Sequence, residues 1–423
     1  MKVAGVIAEY NPFHNGHKYQ LDKIRQDTDA DYIITAISGN FMQRGEPAII
    51  DKYNRTQMAL SGGADLIIEL PTAGACSSAE YFARTGVGIL NSTGVVDFLC
   101  YGVENKNHEL FKKIVALMAD NNFFNKMQTE ISCQVKEGLS YPAAREYALR
   151  QFLSDEYGFD TASLKDFLSL PNNILALEYE RAMHIALPST NGHTMQGHPI
   201  LRVGSGYNDE KIESEFASAT GIRQLINIRQ ADSNFSEKLK KICPDSTSRL
   251  LLDNINKLVF PDSVSSSLYY KLLLYKNTGY ETFADCTPEL SHKISNNLYR
   301  YENYQQFCTI LKSRNLTLSR IRRVLVHILL EIKQNDYTLL RNSFYAPYIR
   351  ILGFKKNASE LLHEIKEKAS APIITKVADA SDILSSDAAY LFEKDIFASD
   401  LYRSLTFPAS SNYNEFTKGI IIM

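Results

Sequence analysis

Short apolar runs stand at Val3–Ala8, Tyr32–Ile37, Leu66–Leu70 and Val95–Tyr101, and the stretches between them carry apolar residues at three- and four-residue spacing. The runs read as buried strands and the stretches as helices. The pattern predicts helices from Gly16 to Arg25, from Lys52 to Leu60 with Asp51 as its cap, and from Ser78 to Leu90. Pro71 ends the third strand. Further helices are predicted at Ala143–Leu153 and Asn173–Ala186, a fifth strand at Ile200–Val203, and a short helix at Gly221–Ile228. Strands of this kind, alternating with helices, predict a parallel sheet covered on both faces.

From about Ser233 the strand pattern fades. Leu250, Leu251, Ile255 and Leu258 recur at helical spacing, as do Leu318, Ile321, Leu325 and Leu329, and Leu361, Leu362 and Ile365. The expected architecture is therefore α/β, a Rossmann-like parallel-sheet domain followed by a mostly α-helical C-terminal domain. The boundary falls near Asn227–Ser236, dividing the chain into 1–230 and 231–423. The polar stretch Pro188–His198 reads as a surface loop.

A length of 423 residues suits two domains, and 44% apolar with 22% charged residues is ordinary for a globular protein. The formal charge of −2 means that a nucleic-acid partner would have to meet a local basic surface. Six cysteines stand apart, without CxxC pairs or histidines at ligand spacing, so no metal site is expected. They read as small buried thiols in a reducing compartment. The chain lacks a run of the ~20 apolar residues that a membrane helix needs, and its apolar start is too short for a signal peptide. A cytoplasmic protein without a membrane partner is expected, and the sequence leaves its protein partners open.

The chemistry concentrates in Glu9-Tyr10-Asn11-Pro12-Phe13-His14-Asn15-Gly16-His17, between the first strand and the first helix. Ligands of parallel sheets bind at the carboxyl ends of strands, and a helix N-terminus there favours anions. His14 and His17 can donate hydrogen bonds to phosphate oxygens as charge builds in a transition state. With 9 His and 21 Gly in the chain, the pattern His-x-Gly-His arises by chance in roughly one such chain in a hundred. The plainer alternative is a pair of surface histidines beside a helix cap. A metal site would need a third ligand, and only Glu9 is near.

This loop resembles the signature of the HxGH nucleotidyltransferases, whose members split a nucleotide between its α- and β-phosphates. More of the chain narrows the likeness: Ser38-Gly39-Asn40-Phe41-Met42-Gln43-Arg44-Gly45-Glu46-Pro47, Asp51-Lys52-Tyr53 with Arg55, Gly63 to Pro71, Ser78 to Phe82, Pro171 to Tyr179, Leu318 to Arg323, and Pro347 to Phe354. Together these resemble the tRNA(Met) cytidine acetate ligase family over nearly the whole chain, most specifically in its first half. The resemblance implies that ATP activates acetate as acetyl-adenylate. The acetyl group then passes to the exocyclic amine of the wobble cytidine of elongator tRNA(Met), giving 4-acetylcytidine, AMP and pyrophosphate. It implies an ATP site at Ile7, Ala8, Glu9, Tyr10, Asn11, Pro12, Phe13, His14, Asn15, Gly16, His17, Lys18, Tyr19 and Gln20, with Gly102, Asn172 and Arg202. His14 and His17 are the expected catalytic pair. ATP is the substrate, and magnesium is expected with it, although no metal ligand can be assigned.

The chain departs from the family at Tyr53, where Trp is frequent, and at Tyr207-Asn208-Asp209, where Tyr-His-Asp is usual. Ala217 to Arg223 occupies the place of the superfamily's second phosphate motif, so Ser218, Thr220 and Arg223 are either phosphate ligands or an ordinary cap with a surface arginine. Glu9, Asp51 and Asp209 are candidates for the base that receives the amine proton. Gln43 and Arg44, and the basic cluster Arg320, Arg322 and Arg323 with Lys312 and Arg314 before it, are candidate RNA contacts; the alternative for the cluster is a solvated helix face. Two other functions fit less of the chain: a small-molecule adenylyltransferase on the same fold, and a tRNA-binding protein without catalysis.

Overall fold

The computed structural model describes residues 1–104, 108–158, 170–184, 194–202, 216–228, 234–406 and 414–423. One sheet organises them. Its first five strands are β1 (Val3–Ala8), β2 (Tyr32–Ser38), β3 (Leu66–Leu70), β4 (Phe98–Val103) and β5 (Gln196–Leu201). The C-terminal half adds β6 (Ile349–Phe354), β7 (Ile373–Ile374) and β8 (Ile421–Ile422). The strand order is β5-β4-β1-β2-β3-β6-β7, with β8 also paired to β6.

The pairing of β1 with β2 is parallel and sets Ala8 beside Ile37. The loops after these strands therefore leave the sheet at the same end. From β1 the chain winds outward through β2 and β3, then returns to place β4 on the other side of β1. The crevice between β1 and β4 is thus a topological switch point, where open α/β sheets bind their ligands.

The core strands form because they can be buried on both faces. Ile33, Ile34, Ala36 and Ile37 of β2, and Leu66, Ile67, Ile68 and Leu70 of β3, are fully buried. The first helix, α1 (Asn15–Thr28), packs Leu21 and Ile24 on one side of the sheet. Helix Ala79–Ser92 covers the other side with Phe82, Ala83, Val87 and Leu90. The helix α2 (Lys52–Ser61) is capped by Asp51, whose carboxylate accepts from the amides of Tyr53 and Asn54.

Several expected boundaries move. The fourth strand starts at Phe98, because Val95 and Val96 are buried in the turn before it. The fifth starts at Gln196, so Gln196, Gly197 and His198 belong to a strand and not to a loop; as the edge of the sheet, it tolerates polar residues that a central strand would not. Residues 188–193, Val203 and the triplet 207–209 lie outside the described residues. The second half is largely helical, yet β6 extends the sheet antiparallel to β3, which helical periodicity did not predict.

The junction between β3 and β6 carries a buried cluster of four charges. Lys52 lies 2.8 Å from Glu69 and 3.1 Å from Glu415, and Arg350 lies 3.0 Å from Glu69 and also pairs with Glu415. All four side chains are buried. Two cations meet two carboxylates, and Tyr53 and Ser399 add hydroxyls to the same network. Burial without such pairing would be prohibitive.

Candidate active site

The loop after β1 folds back on itself before α1 begins. Tyr10 takes a left-handed backbone conformation (φ 48°) and buries its ring edge-on against Phe13 and His17. His14 then serves as the cap of α1. Its Nδ1 accepts from the amide of Gly16 at 3.1 Å, while Nδ1 of His17 accepts from the amide of His14 at 3.3 Å. The two imidazoles stack with centroids 3.7 Å apart.

This cap fixes the tautomer of both rings. A neutral imidazole that accepts at Nδ1 carries its proton at Nε2. Burial, reinforced by the charges of Arg202 and Arg223, pushes the His14 pKa down to about 3. Burial and its neighbours His14 and Arg202 hold His17 well below its usual value too. Both rings are therefore neutral Nε2–H donors at physiological pH, beside the amides that open a helix.

A cavity lies over this point. It is lined from the β1 loop by Ile7, Ala8, Glu9, Tyr10, Asn11, His14, His17 and Gln20, and across the switch point by Gly102, Asn172 and Arg202. Gly16 and Tyr19 face a small adjoining recess shared with His14, Gly102 and Arg202. The other expected residues point elsewhere. Phe13 is a core residue, Pro12 is buried, Asn15 donates to the Lys241 carbonyl at 2.9 Å, and Lys18 pairs with Asp22 on the surface.

Gly102 sits at the end of β4, where a side chain would press on Arg202. Asn172 opens helix Pro171–His184 and donates to Glu104 at 2.6 Å. Asn173 accepts from the Glu104 amide at 2.9 Å, which ties the start of that helix to the end of β4. Ser218 caps helix Ala219–Asn227 and lines the cavity with Thr220 and Arg223. The guanidinium of Arg223 donates to the Asn11 carbonyl at 2.8 Å. Cap and cavity wall are thus one arrangement.

Arg55, fully buried, joins the two strand ends beneath the cavity. It donates to the carbonyls of Glu9 at 2.7 Å, Ser38 at 3.0 Å and Ile50 at 3.1 Å, and to that of Gly39. Glu9 has a raised pKa, chiefly through burial, opposed by the amide of Gln43 at 2.6 Å and by nearby arginines. Asp51 lies in a different cavity and is engaged as a cap, and Asp209 is outside the described residues.

Gln43 and Arg44 also line the cavity, with Met42 and Glu46 from the same loop. The arginine cluster of helix Leu318–Leu330, a candidate for RNA contact with a solvated face as the alternative, has partners within the chain. Arg322 pairs with Glu46, Arg323 lies 3.8 Å from Asp285, and Arg320 donates to the Asp285 carbonyl at 3.3 Å. Lys312 and Arg314 are exposed. Sequence reasoning missed the apolar wall made by Phe82, Tyr101, Leu175 and Tyr179. Three separate elements contribute it, and no local pattern links them.

A mainly parallel sheet whose first strand ends at a helix capped by a neutral histidine pair, in a cavity with several arginines, defines a nucleotidyltransferase of the HxGH class. The HIGH Nucleotidyl Transferase family model matches residues 1–417. The chain is 37% identical over 392 residues to the tRNA(Met) cytidine acetate ligase of Clostridium kluyveri, covering 92% of this chain and 93% of that one. It is 38% identical over 407 residues to that of Thermoanaerobacter sp. (strain X514), covering 95% of each. The crystal structure of Thermotoga maritima TmcAL bound with alpha-thio ATP superposes with a TM-score of 0.88 at 29% identity, across all of both chains. The chain belongs to the tRNA(Met) cytidine acetate ligase family of HIGH nucleotidyltransferases.

Proposed function

We propose that this protein uses ATP to acetylate the exocyclic amine of the wobble cytidine of elongator tRNA(Met), through acetyl-adenylate. The observation that carries the reading is the stacked, neutral pair His14 and His17 at the N-terminus of α1, in a chain that matches acetate ligases along nearly its whole length.

ATP takes the cavity between β1 and β4, with Gly102 and Asn172 on the nucleoside side and His14, His17, Arg202 and Arg223 around the phosphates. An acetate oxygen attacks the α-phosphorus, and pyrophosphate leaves. The Nε2–H groups and the opening amides of α1 stabilise the charge that accumulates on the phosphate oxygens. The amine of cytidine then attacks the acetyl carbon, AMP departs, and the amine gives up a proton. Glu9 is the described candidate base that lies in the cavity, and its raised pKa suits it to accept that proton. Magnesium would come with the triphosphate and neutralise part of its charge; among the described residues no three His, Cys, Asp or Glu side chains cluster as a metal site.

Residues 1–230 supply this chemistry, and 231–423 meet the tRNA. The RNA approaches past Gln43 and Arg44. The protein acts in the cytoplasm, and among the described residues no helix is long and apolar enough to cross a membrane.

The test uses purified protein, labelled acetate, bulk tRNA and ATP, followed by nucleoside analysis. Labelled 4-acetylcytidine that disappears without ATP is the expected result. Pyrophosphate release with a phosphorylated metabolite, and none with acetate, would replace this reading with a small-molecule adenylyltransferase. Failure of ATP to raise the melting temperature would favour a binding protein without catalysis.

A further inference from the structure

Residues 41–47 form a tight hairpin closed by the bridge between Phe41 and Pro47 and by the bond from the Met42 amide to the Glu46 carbonyl, at 2.8 Å. Its tip lines the cavity. On the cavity side it is held by Glu9, which accepts from the Gln43 amide, and by the Ser77 carbonyl, which accepts from the Gln43 side chain at 3.1 Å.

On the far side it is held by the C-terminal half. Arg322 pairs with Glu46, and the hydroxyl of Tyr304 donates to the Gly45 carbonyl. Gly45 has φ 78° and packs so closely on helix Leu318–Leu330 that a Cβ would run into the backbone of Arg322 and Arg323. The Arg322 side chain is 23% exposed and that of Glu46 is 12% exposed, so the pair is screened little by solvent. An arginine bound to a carboxylate in this way has its charge answered within the chain, where a phosphate contact would need it free.

We propose that Arg322 is a positioning residue. It acts on tRNA turnover through Glu46, by fixing the hairpin that presents Gln43 and Arg44, and not as a phosphate contact. This rests on the acetate-ligase reading above. The two roles differ in sign at Glu46. If Arg322 touched phosphate, neutralising Glu46 would release its charge and strengthen tRNA binding. If Arg322 is a strut, losing either partner loosens the same hairpin.

The test measures kcat/KM for tRNA acetylation, at several salt concentrations, in Arg322→Gln, Glu46→Gln and the double variant. Each single change is expected to lower it about 10-fold, within the ~10²-fold that an ångström of misplacement costs. The double variant should be no worse than the poorer single one, and the salt slope should stay that of the wild type. The strut is overturned if Glu46→Gln is neutral or improves tRNA use while Arg322→Gln impairs it and flattens the slope by about one phosphate contact. It is also overturned if the two losses multiply, or if neither occurs. Tyr304→Phe removes only the hydroxyl on Gly45; it should lower tRNA use at an unchanged salt slope even if the charge variants misfold, and an unimpaired Tyr304→Phe would then count against the strut. Wild-type protein that catalyses acetate-dependent exchange of pyrophosphate into ATP but leaves tRNA unlabelled overturns the functional reading, and the strut with it.

Discussion

His14 caps a helix with a ring nitrogen where a hydroxyl or carboxylate oxygen is the usual choice. That substitution has a chemical consequence, since the bond to Gly16 selects which nitrogen keeps the proton. Changing His14 or His17 to Ala is expected to lower acetate-dependent pyrophosphate release at least ~100-fold, the effect of losing a transition-state donor. His14→Asn separates the two roles. Asn is a good cap, so this variant should melt within a few degrees of the wild type and yet lose activity as His14→Ala does. Wild-type turnover in it would remove His14 from the chemistry.

The depressed pKa of His14 also sets a pH dependence. The unfolded chain takes up a proton near pH 6.5 that the folded state accepts only near pH 3. Stability is therefore full above pH 6.5 and falls as pH drops toward 3. At pH 5.5 the His14 share amounts to about 1.4 kcal/mol relative to pH 7.5. Urea unfolding at pH 7.5 and 5.5 should show His14→Asn losing less stability on acidification than the wild type. Glu9, with its raised pKa, works in the opposite sense, so the comparison between the two proteins carries the information. Equal losses would argue that His14 is not neutral in the folded state.

Among the elements, β2 and β3 were legible to within a residue because their apolar runs are flanked by polar turns and buried on both faces. The loop at Glu9–His17 was legible because one strand, one turn and one helix start supply its key groups. The start of β5 and the whole of β6 were not. Gln196-Gly197-His198 is polar because it lies on an edge, and Ile349–Phe354 becomes a strand only by meeting β3, far away in sequence. Arg322 and Arg323 show the same limit at the site. Their spacing on a helix gives a basic cluster, but the acids that answer them come from residues 46 and 285. Long-range pairing, invisible to local periodicity, gives these arginines carboxylate partners within the chain.

The whole molecule is joined by the four buried charges. Arg350 comes from β6, Glu415 from near the C-terminus, and Lys52 and Glu69 from α2 and β3. Removing one charge leaves an excess of the other sign without water. Arg350→Met should cost about 3–5 kcal/mol in urea unfolding, with fluorescence and far-UV dichroism falling together. A loss under 1 kcal/mol would mean that the cluster relaxes when one member is gone.

The antiparallel seam between β3 and β6 bears on how the chain emerges from the ribosome. The first strands are synthesised early, but β3 remains an apolar edge until the segment 349–354 has cleared the exit tunnel. Through most of translation that edge offers unpaired amides and carbonyls to any extended chain nearby, including a second nascent copy. The N-terminal half therefore depends on the segment 349–354 for protection from aggregation, and a message truncated near residue 230 would yield a sticky product.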